Sequence, residues 1–134
     1  MSFASTLTTD NKMISNATWA DVEREISALD ARTETLVMLA PSPPKGAPVG
    51  ERHMAIGGGG GGRFIIYTTE DNLSFWNLID PKRQGDRRNV HMLIGGQEGD
   101  YREEQFVSRD LALQAARQYF QDGKRAMDLT WTEG

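Results

Sequence analysis

The sequence has no cysteine, only two histidines and no long apolar run, and each shortage removes a class of function. Without cysteine, the chain can form no disulfide, no thiolate nucleophile and no cysteine-ligated zinc site. No apolar run approaches the roughly 20 residues that a membrane-spanning helix needs. The N-terminal MSFASTLTTDN lacks a basic start and a continuous apolar core, so we expect no secretory signal and a cytoplasmic protein.

Length and charge narrow the class of protein further. The 134 residues are the usual size of one domain, so we expect residues 1–134 to fold as a single unit. The 19 acidic residues outnumber the 15 basic ones and give a net charge of −4. This balance argues against general nucleic-acid binding and suits a protein that has a basic partner.

Apolar residues spaced three or four apart predict two helices. In the first, Trp19–Leu29, Thr18 is a suitable N-cap and Asp21 can complete the cap from the third helical position. In the second, Ser108 precedes RDLALQAARQYFQ, whose alanines and aromatic residues form one apolar stripe. Gly123 follows this segment in the position of a C-cap.

The other apolar segments predict strands, because they are short, rich in β-branched or aromatic residues and bounded by turn residues. We expect GGQEGD (95–100) to form a turn. The predicted strands are Phe3–Leu7, Glu34–Ala40, Arg52–Ile56, Arg63–Thr69, Leu73–Asn77, Val90–Ile94, Tyr101–Val107 and Met127–Trp131. Such runs of strands favour an α+β fold, with a mainly antiparallel sheet of about five to seven strands and two helices packed on one face.

Six consecutive glycines, Gly57–Gly62, raise the possibility of a phosphate-binding loop. A dinucleotide-binding glycine motif opens a helix, and a P-loop ends in Gly-Lys-Ser/Thr. Here the run continues into RFIIYTT, which predicts a strand. The sequence therefore favours a connection between two neighbouring strands. The alternative is that the bare glycine backbone lies against a partner.

Catalytic and metal-binding patterns are missing. His53 and His91 both fall in predicted strands, and neither has metal-ligand spacing around it. The adjacent acids Glu103 and Glu104 lie in a predicted strand, where neighbouring side chains point to opposite faces. We therefore expect no catalytic residue, no metal site and no cofactor.

Acidic residues around aromatic ones are the more promising surface feature, because acidic rims around aromatic anchors suit a basic partner. The alternative is that the aromatic residues belong to the core and the acids keep the chain soluble. The basic loop Lys82–Arg88 lacks an aromatic residue on which bases could stack, so we expect it to be solvated. The acidic groups are Glu98, Asp100, Glu103 and Glu104 around Tyr101, and Glu70 and Asp71 before Phe75 and Trp76.

Three stretches carry a family resemblance. They are WADVEREISAL followed by TLVML, then MAIGGG with GRFIIY, and finally IGG, FVSRDLALQAARQYF and LTWTE. Together they resemble the bacterial immunity proteins that neutralise deaminase toxins of polymorphic-toxin systems, the first-numbered family in the immunity-protein series, which includes antidotes to DNA cytosine deaminases. The resemblance extends from about Thr18 to Glu133. The chain departs from the family pattern in its longer glycine run and its Pro-rich loop at 41–48.

This resemblance implies a cytoplasmic, non-enzymatic antidote that binds a deaminase toxin and occludes its active site and basic nucleic-acid groove. The net charge and the lack of a long apolar run lead us to expect no nucleic-acid or membrane partner, and the oligomeric state stays open. The alternatives are an adaptor or chaperone that binds a secreted toxin without inhibiting it, and a small-molecule-binding or enzymatic domain. The expected toxin-binding residues are Glu98, Asp100, Tyr101, Glu103 and Glu104, then Glu70, Asp71 and Trp76. Family-motif residues expected in the core are Trp19, Ala115, Tyr119, Phe120 and Trp131.

Overall fold

Capping places both helices where the sequence predicts them. In the computed structural model, which describes residues 3–42, 46 and 50–134, helix α1 is Trp19–Ser27 and helix α2 is Arg109–Asp122. The Asp21 N–H donates to Thr18 Oγ1 (3.2 Å) and the Thr18 N–H donates to Asp21 Oδ2 (2.9 Å), which completes the predicted capping box. Ser108 caps α2, and Gly123 ends it with a φ of 73°.

In the described part of the chain, nine strands form two antiparallel sheets. Seven of them form one sheet in the order β2-β1-β3-β4-β5-β6-β9, and β7 pairs only with β8 in a separate hairpin. The α+β prediction is therefore confirmed. The strands are β1 Thr6–Thr9, β2 Met13–Ile14, β3 Leu36–Ala40, β4 His53–Gly58, β5 Phe64–Thr69, β6 Phe75–Leu78, β7 Asn89–Ile94, β8 Gln97–Arg102 and β9 Trp131–Glu133.

Some predicted boundaries are wrong, and turn geometry explains the largest error. Gly95 and Gly96 have φ values of 63° and 77°, as both central residues of a tight type I′ hairpin turn require. Pairing with β7 therefore begins at once, at Gln97, inside the stretch predicted to be a turn. The segment after Arg102 is a short 3-10 helix, Glu103–Gln105, and not a strand. The Pro-rich loop at 41–48 lies partly outside the described residues.

Both helices cover one face of the seven-stranded sheet and form the core with it. The family-motif residues Ala115, Tyr119 and Phe120 of α2 are buried there, and Trp19 and Trp131 pack against the same cluster, as expected. The register of the strands explains which sheet residues are buried under the helices, because cross-strand partners point to the same face. The sheet residues in this cluster are Leu7, Val37, Leu39, Met54, Ile56, Phe64, Ile66 and Leu78.

We call the opposite side of the seven-stranded sheet the outer face. One cross-strand row crosses it from edge to edge: Met13, Thr8, Met38, Ala55, Tyr67, Asn77 and Thr132. The same alternation puts Leu36, Gly57 and Ile65 on this face, where the β7–β8 hairpin lies against them. The hairpin therefore covers one end of the outer face. Met13 lies at the edge of the sheet, and its side chain is 64% exposed.

Candidate functional site

The first three glycines of the run are packing positions. A Cβ atom on Gly57 would lie 2.4 Å from Ile94 Cγ2, and one on Gly58 would lie 2.6 Å from Met92 Sδ. Both contacts are with β7 of the hairpin. A Cβ on Gly59 would lie 2.3 Å from the carbonyl oxygen of Leu29, after α1. These glycines therefore let the hairpin and the end of α1 approach the sheet closely.

The remaining glycines turn the chain. Gly60–Gly62 form a 3-10 turn, and β4 and β5 on either side are antiparallel partners, so the predicted connection between neighbouring strands is confirmed. Gly61 and Gly62 have φ values of 65° and 72°, and a Cβ on either would meet nothing within 4 Å. The sequence alone does not distinguish the packing glycines from the turn glycines, because the packing partners Leu29, Met92 and Ile94 are remote in sequence.

The hairpin brings Glu98 and Asp100 together on its outward face, opposite His91. The His91 Nδ1 atom lies 3.0 Å from Asp100 Oδ1, and Nε2 lies 3.3 Å from Glu98 Oε2. All three side chains are more than half exposed. The Asp100 carboxylate, and then that of Glu98, raises the pKa of His91 above its ordinary 6.5. These two predicted residues thus share one acidic, solvent-exposed surface.

Tyr101 has the opposite orientation. Its neighbours Asp100 and Arg102 point outward, so alternation directs the Tyr101 ring toward the sheet. There it lies edge-on to Phe106, with ring centroids 6.3 Å apart. It also lines a cleft of about 110 Å³ between the hairpin and the outer face. The lining residues are Leu36, Ala55, Gly57, Ile65, Tyr67, Asn77, Ile94, Tyr101 and Gln105.

Glu103 lies in an ion cluster with Arg63 and Arg83, and its carboxylate contacts both guanidinium groups. The Arg63 guanidinium also lies over the Phe106 ring, 4.6 Å from its centroid. The hydrogen bond from Arg63 holds the pKa of Glu103 below its ordinary 4.5. This cluster, hereafter the Glu103 ion cluster, joins the start of β5 to the loop before β7 and to the segment after β8.

Glu104 is buried and also has partners within the chain. Its Oε1 atom accepts from the Gly85 N–H (3.0 Å), and its Oε2 atom lies 3.0 Å from Arg102 Nε. Glu103 and Glu104 were expected to point to opposite faces of a strand, but their 3-10 helix directs both toward arginines and backbone donors. The loop expected to be solvated supplies some of these groups, including Arg83 and the Gly85 N–H.

The second predicted group, Glu70, Asp71 and Trp76, lies elsewhere. Glu70 Oε2 lies 2.8 Å from Arg52 Nε. Asp71 Oδ1 accepts two backbone N–H groups of its own turn, and these bonds lower the pKa of Asp71. Trp76 pairs with Thr68 in the register of the helix-covered face, and Arg125 lies 4.3 Å from the centroid of its ring. The structure therefore does not bring this group together with the hairpin.

Neither the outer face nor the cleft was predicted from the sequence. The shortage of charge in the strands could have indicated the outer face, because Glu133 is the one Asp, Glu, Lys or Arg within the seven strands of the large sheet as described. Among the described residues, no group of three or more potential ligands is placed to hold a metal ion. No helix in this part of the chain combines the length and apolar character needed to cross a membrane.

Comparison with known proteins identifies the family. The sequence profile described as Immunity protein Imm1 matches residues 12–133, which is nearly the whole chain. The chain therefore belongs to the Imm1 family of immunity proteins, and a cognate toxin is the partner that membership implies. No curated protein matches the sequence significantly.

Proposed function

We propose that this Imm1 protein inhibits a deaminase-type bacterial toxin by binding over its active site and nucleic-acid groove. The observation that carries the proposal is the outward face of the hairpin, where Glu98 and Asp100 are exposed beside His91. The resemblance of the C-terminal block to antidotes of DNA cytosine deaminases supports the class of toxin. Inhibition by binding needs no catalytic group on this chain.

Charge complementarity supports the proposed mode of binding. An enzyme that acts on nucleic acid needs a basic groove for the phosphate backbone. Glu98 and Asp100 are 70% and 62% exposed, and His91 is the ionic partner that the described structure gives to each. Opposite charges on two partners raise the association rate and align the two surfaces. We therefore assign direct toxin contacts to Glu98 and Asp100.

The other predicted residues have different roles in this proposal. Tyr101 connects the acidic face of the hairpin to the cleft. Glu103 and Glu104 hold the base of the hairpin through their arginine and backbone partners, so their contribution to binding is indirect. Glu70, Asp71 and Trp76 form a second, separate contact region.

Co-expression tests the function directly. A toxin reading frame beside the gene would be expressed in cells with and without this chain, and survival would be measured. We expect survival only when the chain is present, together with a stable complex of the two purified proteins. A complex without protection would favour the adaptor alternative, and an absence of binding to a toxin that kills the cells would contradict the proposal.

Charge reversal tests the proposed surface. We expect Glu98→Lys with Asp100→Lys to weaken toxin binding by about tenfold or more, mainly through slower association. Glu23→Lys with Asp128→Lys is the matched control, because it changes net charge equally at two exposed acids outside the hairpin. Equal affinities of the two double variants, measured by surface plasmon resonance at several salt concentrations, would rule out a specific role for the acidic face.

A further inference from the structure

The outer face of the large sheet has an unusual composition. A solvated face of an antiparallel sheet ordinarily alternates polar residues outward. Here the outward positions include Met38, Tyr67 and Phe75, which are partly exposed, and Ala55, which is buried, and no Asp, Glu, Lys or Arg occupies this face in the described strands. One quarter of the whole chain is charged, so the strands differ sharply from the rest of the surface.

This composition is typical of the core of a protein interface. Such cores are poor in charged residues and rich in aromatic residues and methionine. The outer face carries both, with Met13 and Met38 toward one edge and Tyr67 and Phe75 toward the other. Within the outer face, Met38, Tyr67 and Phe75 are only partly exposed, because neighbouring side chains already pack against them. A bound partner would complete their burial.

Contacts within the face fix the wall of the cleft. The Tyr67 ring lies edge-on to Phe75, with centroids 5.4 Å apart, and edge-on to His53, at 5.6 Å. The Tyr67 hydroxyl is 3.2 Å from His53 Nε2, and His53 Nδ1 is 2.9 Å from the Glu51 carbonyl oxygen. Since the carbonyl can only accept, Nδ1 donates to it, and in the neutral imidazole Nε2 then accepts from the Tyr67 hydroxyl. Tyr67, held by these contacts, and Tyr101 both line the cleft.

We propose that the outer face is the core of the toxin interface and takes an uncharged segment of the toxin, with one aliphatic side chain inserted in the cleft. The proposal rests on the toxin-inhibitor function proposed above. An apolar cavity of about 150 Å³ holds a benzene molecule. The cleft of about 110 Å³ therefore suits a smaller group, such as a branched aliphatic side chain. A charged side chain there would be desolvated without a partner.

Continuity with the acidic hairpin favours the toxin over a second copy of this chain. Tyr101 lines the cleft, and its neighbour Asp100 belongs to the outward acidic face. A desolvated apolar centre beside a charged rim is the usual arrangement of a tight interface. A second copy would bring the same net charge of −4, whereas a nucleic-acid enzyme brings a basic surface.

Methionine oxidation tests the face without any mutation. The probe is the neighbouring toxin domain in a catalytically inactive form, and peroxide oxidation is read by mass spectrometry for the unbound protein and the complex. We expect the oxidation rates of Met13 and Met38 in the complex to fall below about half of their unbound values. Met127 is the reference for methionines outside the outer face, because it is 83% exposed and lies beside Gln118 of α2 and Glu70 of the second contact region. Protection of Met127 without Met13 and Met38 would overturn the proposal.

Paired substitutions test the energetics. Met38→Lys adds a charge to the outer face, and Met127→Lys adds the same charge on the helix side. We expect Met38→Lys to weaken toxin binding by about 30-fold or more, the level of an interface hot spot, and Met127→Lys, at a position beside Glu70 of the second contact region, to weaken it much less. Ala55→Leu, which fills the cleft without adding charge, should weaken binding similarly. Thermal unfolding of each variant would confirm that it is folded.

The outcomes separate the two proposals. If wild-type protein binds and protects, but Met38→Lys and Ala55→Leu bind equally well and the two methionines stay reactive, this inference fails and the inhibitor function stands. If wild-type protein neither binds nor protects, both fail. Concentration-dependent protection of Met13 and Met38 in the isolated protein, lost in Met38→Lys, would assign the outer face to a second copy instead.

Discussion

The seven-stranded sheet and the β7–β8 hairpin meet at Gly57, but they are stabilised by different interactions. The strands of the large sheet contain one charged residue, Glu133, and their stability comes from burial against the helices. The hairpin carries Glu98, Asp100 and Arg102 in twelve paired residues, and ionic contacts surround it. Packing therefore determines which side chains the sheet can accommodate, and ionic contacts determine which side chains the hairpin can accommodate.

Under the proposed function, this difference gives the two regions different parts in toxin binding. The sheet offers an uncharged surface that gains from losing water, and the hairpin offers exposed carboxylates that attract a basic partner from a distance. Their relative position depends on the glycines at the end of β4 and on the Glu103 ion cluster. A single substitution can disrupt either the glycine packing or the Glu103 ion cluster.

Gly59→Ala should have the largest effect, because it disrupts close packing. Gly59 has a φ of 92°, which strains any residue with a Cβ, and the added Cβ would lie 2.3 Å from the Leu29 carbonyl oxygen. Backbone strain and overpacking each cost about 1 to 3 kcal/mol, so we expect the free energy of unfolding to fall by about 2 to 5 kcal/mol. Urea denaturation followed by circular dichroism measures this loss.

Gly61→Ala is the matched control for Gly59→Ala. Gly61 also has a positive φ, of 65°, but an added Cβ would meet nothing within 4 Å. We expect a loss of about 1 to 2 kcal/mol, from backbone strain alone. Equal losses for the two variants would show that the contact with Leu29 contributes nothing, and that Gly59 serves only the turn.

The helices and the sheet could be predicted because local rules determine them. Thr18, Asp21, Ser108 and Gly123 cap the helices through neighbours three or four residues away, so the sequence alone identifies them. The order of the strands and the separate hairpin could not be predicted in this way. They depend on pairing between segments that are distant in sequence, and on the two-residue turn at Gly95, which moved the start of β8 into a predicted turn.

Glu103→Gln should have the next largest effect, because it removes the charge at the centre of the Glu103 ion cluster. Hydrogen bonds to charged groups contribute about 1.5 to 3 kcal/mol, so we expect a loss of that size near pH 7. The pKa of Glu103 is depressed in the folded protein, so its contribution is present above the ordinary pKa of 4.5 and is lost as pH falls through the folded pKa. The stabilities of the two proteins should therefore converge in acid.

Glu98→Gln is the control for this prediction, since Glu98 is 70% exposed and surface ion pairs contribute little. We expect its stability to stay within about 0.5 kcal/mol of wild type. A loss in Glu103→Gln that persists unchanged at pH 3 would contradict an ionic origin, and would instead indicate that the shape of the side chain matters.

The surroundings of the candidate site residues were harder to predict than the fold, for a physical reason. Acidic residues near aromatic ones were identified from local sequence, but the partner of an acid is often remote: Arg63 is 40 positions from Glu103. The sequence therefore could not show that Glu103 and Glu104 are neutralised within the chain while Glu98 and Asp100 face solvent. Whether Glu98 and Asp100 bind a toxin stays a prediction.

The smallest effect is expected at the outward end of the hairpin, in the titration of His91. Asp100 makes the larger contribution to its raised pKa and Glu98 the smaller one. Asp100→Asn should therefore shift the NMR-measured pKa of His91 toward 6.5, and Glu98→Gln should shift it less. Because the folded pKa is raised, the stabilisation from protonated His91 is complete below its unfolded pKa and is lost as pH rises through the folded value. If Asp100→Asn left the titration of His91 unchanged, the contact between His91 and Asp100 would contribute nothing in solution, and a partner would not have to displace His91 to reach the Asp100 carboxylate.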